Sequence, residues 1–327
     1  MRAVKASFQV CLVTGATGFI GRALVKKLSD NGYVVKSVVR GGGGDVAQVL
    51  GSEIKINDIT SSIDWRPALD GVDVVIHLAA RTHIMRDRSP DPLAEYRRIN
   101  VDGSLTLASQ AADAGVKRFI YLSSIKVNGE FTCLGHPFHP DDDPMPHDAY
   151  GKSKHEAEVG LQAIARNSKI DVVIIRPPLV YGPGVKANFL NLIKLISSSI
   201  PLPFGAVKNK RSLVSLENLL DFIITCTIHP KAANEVFLVS DGSDVSTPEL
   251  IKGIAQALGR PAILLSVPQV FLRLISNIFS SNNSLSRILN SLQVDISKNK
   301  RLLNWTPPAS VEAGLDKSVM DFLSKNK

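Results

Sequence analysis

Apolar and polar positions follow two periods through the first half of this chain. Short apolar runs at residues 10–13, 33–39, 53–56, 72–78, 117–122 and 170–176 have the length of strands. Segments between them carry a helical period, at 22–30, 93–114 and 150–166. The run Val72-Asp73-Val74-Val75-Ile76-His77-Leu78 is nearly continuous, as a strand covered on both faces should be. Strand and helix in alternation predict an α/β chain built on a doubly wound parallel sheet. After Arg176 the texture changes. Pro177, Pro178, Pro183, Pro201 and Pro203 mark irregular structure around one helix at 185–199. A helix at 216–228 and a strand at 235–239 are expected to rejoin the sheet, and from Ser246 onward the pattern is mostly helical. The expected organisation is a larger domain of residues 1–176, completed by about 214–240, and a smaller, mostly helical lobe of residues 177–213 and 241–327.

Composition adds little beyond a class. The 327 residues are 44% hydrophobic and 21% charged, as in ordinary soluble domains. The net charge of +8 favours an anionic partner without choosing one. No helix-turn-helix, zinc or aromatic-basic motif supports nucleic acid. Cys11, Cys133 and Cys226 are too few and too far apart for a disulfide framework or a zinc cluster, which fits a reducing cytoplasm. No secretory signal is apparent at the N-terminus, and no apolar run is long enough to predict a membrane span. The loop at 136–143 holds two His and three Asp, but its prolines spoil a ligand face, and no metal is expected there.

The sharpest local signal is Thr14-Gly15-Ala16-Thr17-Gly18-Phe19-Ile20-Gly21, set between the first strand and the first helix. Gly15 permits a tight turn, Gly18 lets backbone approach a pyrophosphate, and Gly21 lets helix pack closely on strand. The helix N-terminus then offers free N–H groups to the anion. A second signal is Tyr150-Gly151-Lys152-Ser153-Lys154, which places Tyr150 and Lys154 on one helical face. A free phenol is a poor base at neutral pH, and a nearby ammonium favours the phenolate. Such a pair can exchange a proton with an alcohol that loses or gains a hydride. Ser124, at the end of the preceding strand, is placed to hydrogen-bond the same oxygen.

Together these motifs resemble the extended short-chain dehydrogenase/reductase family, of the nucleotide-sugar epimerase/dehydratase/reductase type. The likeness continues through His77-Leu78-Ala79-Ala80, Asn100-Val101-Asp102-Gly103, Ser123-Ser124 and Arg176-Pro177-Pro178-Leu179-Val180-Tyr181-Gly182-Pro183. It implies a Rossmann sheet with a smaller substrate lobe. It implies Tyr150 as acid/base, Ser124 as its partner, and Lys154 as the group that lowers the Tyr150 pKa and binds the nicotinamide ribose. Thr17, Phe19 and Ile20 would join the three glycines around the cofactor, with Asp58 and Ile59 at the adenine. Leu78, Ala79, Ala80, Asn100 and Pro177 would complete that site. Arg81, His83, Lys126, Asn188 and Arg211 would meet the substrate, Arg211 at its diphosphate. Family members often dimerise through the two long helices, so a homodimer is implied.

Two positions narrow the activity. Dehydratases of this type carry an Asp-Glu pair where this chain has Ile125 and Lys126, which argues against dehydration. The second strand ends at Arg40, where an acid would bind the adenosine ribose of NAD; an Arg there pairs with the 2′-phosphate of NADP, and residues 41–44 are all glycine. This favours NADP over NAD. The reading is therefore a nucleotide-sugar oxidoreductase acting at C4 of a UDP-hexose or UDP-N-acetylhexosamine. Arg40 tilts it toward reduction of a 4-keto-6-deoxy sugar for surface polysaccharide. The alternative is a 4-epimerase with tightly held NAD, and a third reading is a dinucleotide-binding sensor without catalysis.

Overall fold

The computed structural model describes residues 9–41, 51–82, 89–272 and 284–325. Strands β1 (Val10–Thr14), β2 (Val34–Arg40), β3 (Ser52–Ile56), β4 (Val74–His77), β5 (Arg118–Leu122) and β6 (Asp171–Arg176) lie in one sheet. A later strand, β9 (Val236–Leu238), joins them, in the order β3-β2-β1-β4-β5-β6-β9. The pairs from β3 across to β6 are all parallel. The order reverses direction at β1, which is the doubly wound Rossmann arrangement. Alternation in the strands explains their apolar runs. Leu12, Val75, Phe119 and Val172 pack with Leu107, Ala111, Ala157 and Leu161 of two helices. Their neighbours Cys11, Val13, Ile76, Ile120 and Val173, which point the other way, are also buried.

Helix α1 (Phe19–Asp30) follows β1, and α5 (Ala149–Asn167) precedes β6. The segment expected as one helix over 93–114 is three pieces: α3 (Pro92–Arg97), a π-helical turn (Arg98–Gly103) and α4 (Ser104–Asp113). The wide turn coincides with a tertiary contact. A Cβ on Gly103 would lie 2.6 Å from Ile59 Cγ2, so backbone occupies side-chain space there.

Helix α7 (Leu216–Ile228) ends against β5. The buried Arg118 guanidinium donates to the Cys226 and His229 carbonyls, both at 2.9 Å, and to Asp171 Oδ2 at 3.0 Å. A cation thus meets carbonyls that the helix end leaves unpaired.

The chain forms two compact units. The first comprises residues 1–127, 143–176 and 222–237; the second comprises 128–142, 177–221 and 238–327. The second unit holds a two-stranded parallel ladder, β7 (Leu179–Tyr181) with β8 (Leu213–Ser215), and the helices α6 (Ala187–Ser197) and α8 (Thr247–Ala257). Its core gathers Tyr181, Phe189, Ile193, Leu213, Ile251, Ile254, Leu315 and Val319. Among the described residues no helix is long and apolar enough to cross a membrane.

Candidate active site

The glycine turn has a shape that side chains would fill. Gly15 adopts φ +70°, and a Cβ there would lie 2.8 Å from the Ala79 nitrogen. Gly18 N donates to Gly15 O at 2.9 Å, and Gly18 stands at the N-cap of α1 with no side chain to cap it. A Cβ on Gly21 would fall 2.1 Å from Gly15 O. The bare helix start and the three tight backbone approaches fit a dinucleotide pyrophosphate. Thr17 and residues 78–80 are half-buried beside this turn in the sequence of elements that form it, and Arg40 is exposed at the end of β2. Gly42, Gly43, Gly44 and His83 lie outside the described residues. Asp58 is engaged within the fold: its carboxylate accepts from Arg98 Nη1 at 3.2 Å and from Ile59 N at 2.9 Å.

The first unit also brings Ser124, Tyr150 and Lys154 together. Asp148 caps α5 by accepting from Gly151 N at 2.7 Å, which places Tyr150 in the first turn. Ser124 lies near the Tyr150 hydroxyl and opposes the rise of its pKa. Its ring stands edge-on to Tyr96 at 6.1 Å, and Arg81 covers the Tyr96 ring at 5.3 Å. Lys154, 2% exposed, donates to the Leu122 carbonyl at 2.8 Å and to the Tyr121 hydroxyl at 3.2 Å. Its ammonium lies 4.2 Å from the Tyr121 ring centroid. Burial lowers the Lys154 pKa to about 7, with Glu158 opposing that fall.

Burial raises the Tyr150 phenol, Ser124 opposes that rise, and Asp148 and Tyr96 raise it further. The Lys154 ammonium is held at β5 by the Tyr121 hydroxyl and the Leu122 carbonyl. Lys126, expected at the substrate, forms an ion pair with the capping carboxylate of Asp148. Asn100, expected at the cofactor, has its carboxamide fully used: Nδ2 donates to Arg81 O and Ser153 Oγ, both at 3.0 Å, and Oδ1 accepts from Arg81 N at 2.8 Å. It braces Arg81 against α5.

A buried polar chain lies beneath the pair. His77 bridges Thr14 Oγ1 at 2.7 Å and Ser104 Oγ at 2.9 Å, and the Tyr121 phenol that receives Lys154 donates to the Asn100 carbonyl at 3.4 Å. Burial, then the charge of Lys154, lowers the His77 pKa from 6.5 to about 3. Between those values the unfolded chain binds a proton that the folded chain refuses, so stability falls as pH falls through that window. The loss is about 1.4 kcal/mol per pH unit, or about 2 kcal/mol at pH 5. Urea midpoints of the wild type and His77→Gln, measured from pH 7 to 5, should therefore converge. Parallel slopes would show that His77 carries no such linkage.

In the second unit, Asn188 is exposed at the start of α6 and Pro177 is buried. Arg211, expected at the substrate diphosphate, has one guanidinium nitrogen engaged inside its own unit. Its Nη1 donates to the carbonyls of Arg287 at 2.6 Å and Asn290 at 3.0 Å, and burial, then Arg287, lowers its pKa to about 10. Among the described residues no cluster of His, Cys, Asp or Glu is arranged to hold a metal ion.

Sequence reasoning missed Tyr96, Tyr121, Asp148 and Glu158. Two of these carried a readable signal: Asp148 is an N-cap type three residues before Gly151, and Glu158 continues the four-residue spacing of Tyr150 and Lys154.

Comparison with known proteins places this geometry among relatives. Residues 11–240 match the NAD dependent epimerase/dehydratase family. Over 317 residues the chain is 50% identical to a UDP-glucose 4-epimerase of Vibrio cholerae, covering 96% of each protein. The structure of MoeE5 in complex with UDP-glucuronic acid and NAD is similar, with a TM-score of 0.75 at 26% identity, covering 96% of this chain and 99% of that one. The UDP-glucose 4-epimerase of Thermotoga maritima with UDP-glucose shares the fold, with a TM-score of 0.76 at 23% identity, covering 98% of this chain and 100% of that one. With its glycine turn and its Ser-Tyr-Lys grouping in place, the chain belongs to the NAD dependent epimerase/dehydratase family.

Proposed function

We propose that the protein is a UDP-hexose 4-epimerase that holds NAD on the glycine turn. The observation that carries this reading is Tyr150 beside Ser124, with Lys154 one helical turn away, in a chain 50% identical to a UDP-glucose 4-epimerase over nearly its whole length. NAD is preferred to NADP because MoeE5, a similar protein, is described with NAD.

Gly15, Gly18 and Gly21 would hold the pyrophosphate, and Lys154 would reach the nicotinamide ribose. When bound, the cofactor supplies a hydride acceptor and a positive charge. The residues of this chain manage the proton. Ser124 orients the sugar C4 hydroxyl, and Tyr150 takes its proton as the C–H bond breaks. Tyr150 then returns the proton to the same oxygen after the sugar has presented its other face. Tyr150 is the phenolate before it takes that proton and again once it has returned it, and the positive charge of Lys154 favours that form. Ile125, which is buried, and Lys126, which is paired with Asp148, leave no carboxylate at the positions a dehydratase uses.

A second reading, reduction of a 4-keto-6-deoxy sugar by exchangeable NADPH, rests on exposed Arg40. One experiment separates them. Purified protein is denatured, its released nucleotide identified, and fresh protein incubated with UDP-glucose. NAD retained through purification, with UDP-galactose formed and no net redox, is the expected result. Protein that carries no nucleotide and consumes NADPH with a UDP-4-keto sugar would replace the epimerase reading with the reductase.

A further inference from the structure

We propose that the second unit carries a surface that docks on anionic lipid headgroups, built where the end of α6 meets residues 260–271.

Exposed apolar side chains are not spread evenly over the molecule. Among the described residues fifteen large ones are exposed, and six of them fall in two short segments: Leu195 and Ile200 in the first, Ile263, Leu265, Val270 and Phe271 in the second. Hydrogen bonds bring the segments together. Leu202 N donates to the Ile263 carbonyl and Leu265 N to the Leu202 carbonyl, both at 2.9 Å. Leu202 and Leu264 pack into the core of the unit, which leaves Ile263 and Leu265 on the outer side of an alternating run. The chain beyond them is pinned at two points: Gln269 Nε2 donates to the Leu289 carbonyl at 3.0 Å, and Leu272 is buried. Between those anchors Val270 is 67% exposed and Phe271 58%. Large apolar side chains gathered and held outward in this way mark an interaction surface.

Charge selects the partner. Residues 177–216 and 250–294 contain no Asp or Glu, and exposed Lys194, Lys208, Lys252 and Arg260 lie within these runs. Two of the cations border the apolar side chains directly. Lys194 precedes Leu195 on the exposed side of α6, opposite buried Ile193 and Ile196. The Arg260 guanidinium donates to the Ser197 carbonyl at the end of the same helix. A second copy of this chain is a poor occupant, because a two-fold contact sets the patch against itself and opposes like charges. An anionic membrane answers both features. The apolar side chains enter the boundary between headgroups and acyl chains, and the cations meet the headgroup phosphates. The contact would lie on the membrane without crossing it, since no described helix is long and apolar enough to span one.

The test is sedimentation of the purified full chain with vesicles of phosphatidylcholine, alone or with about one-third phosphatidylglycerol. The chain should sediment with the anionic vesicles, stay in solution with the neutral ones, and be released as salt rises to about 0.5 M. Val270→Ser with Phe271→Ser should weaken vesicle binding about tenfold or more. Lys194→Glu should weaken it about fivefold or more. All three side chains are exposed, so the urea midpoints of these variants should match the wild type. A wild type that ignores anionic vesicles overturns the proposal, and one that then binds poly-glutamate would give the surface to an acidic protein. Equal binding to neutral and anionic vesicles removes the role of the cations and overturns it as well. Binding undiminished in both variants would place the lipid contact elsewhere on the chain. Light scattering addresses the remaining occupant: a dimer that Val270→Ser with Phe271→Ser splits would assign the surface to a second copy.

Discussion

Tyr150→Phe should lose turnover by between about a hundredfold and ten-thousandfold while retaining its nucleotide. The change removes one oxygen from a half-buried ring and keeps the edge-on contact with Tyr96, so the fold has little reason to respond. What disappears is the hydroxyl beside Ser124, the one group of that side chain able to exchange a proton. Interconversion of UDP-glucose and UDP-galactose, followed beside chromatography of the bound nucleotide, reads both effects at once. Turnover that survives would dismiss Tyr150 as the acid/base. Lost nucleotide with intact folding would instead move Tyr150 into the binding site. Because burial raises the phenol and Ser124 opposes that rise, the activity of the wild type should also depend on Ser124.

A second large effect is expected at Gly21. A Cβ there would sit 2.1 Å from Gly15 O, 2.8 Å from the Gly15 carbonyl carbon and 2.9 Å from Ala16 Cα. All three atoms are backbone, so no side chain can turn aside to make room. Gly21→Ala should cost roughly 3 kcal/mol, at the upper end of ordinary overpacking, and reshape the turn that would hold the pyrophosphate. Urea unfolding and nucleotide retention measure the two consequences. A variant that unfolds at the wild-type midpoint and still carries its nucleotide would show that helix and turn can part without harm. Gly18 makes a useful contrast, since a Cβ there meets Gly15 O at 3.2 Å and the neighbour need give only slightly.

The parts of the fold that obey local rules were legible in the chain. The apolar runs match strands β1 to β6, and the glycine spacing matches a turn that no other residue could make. The four-residue step from Tyr150 to Lys154 put both on one face, as found. What was not legible depends on partners distant in sequence. The helix expected over 93–114 widens at Arg98–Gly103, where Gly103 meets Ile59, more than forty positions earlier. Lys126 reads as a free cation until the fold brings Asp148 to it. Nothing in the sequence signals that Arg211 Nη1 would donate to the carbonyls of residues 287 and 290. His77 looks like one more member of an apolar strand, yet it joins Thr14 to Ser104 through bonds spanning 63 and 27 residues. Polar side chains buried this way are chosen by tertiary geometry, and their spacing in the sequence carries no period to detect.

The order of the sheet has a consequence for how the molecule is made. Its outermost strand beside β6 comes from residues 236–238, after the chain has already laid down β7, α6 and β8 of the second unit. The first unit therefore cannot close when residue 176 leaves the ribosome. Its edge along β6 stays open while the intervening residues are synthesised, and the carbonyl of Glu235 that pairs with Ile174 arrives only afterward. During that interval an unpaired parallel edge faces whatever else is nearby, which is the period in which a nascent chain of this design is most exposed to misassembly.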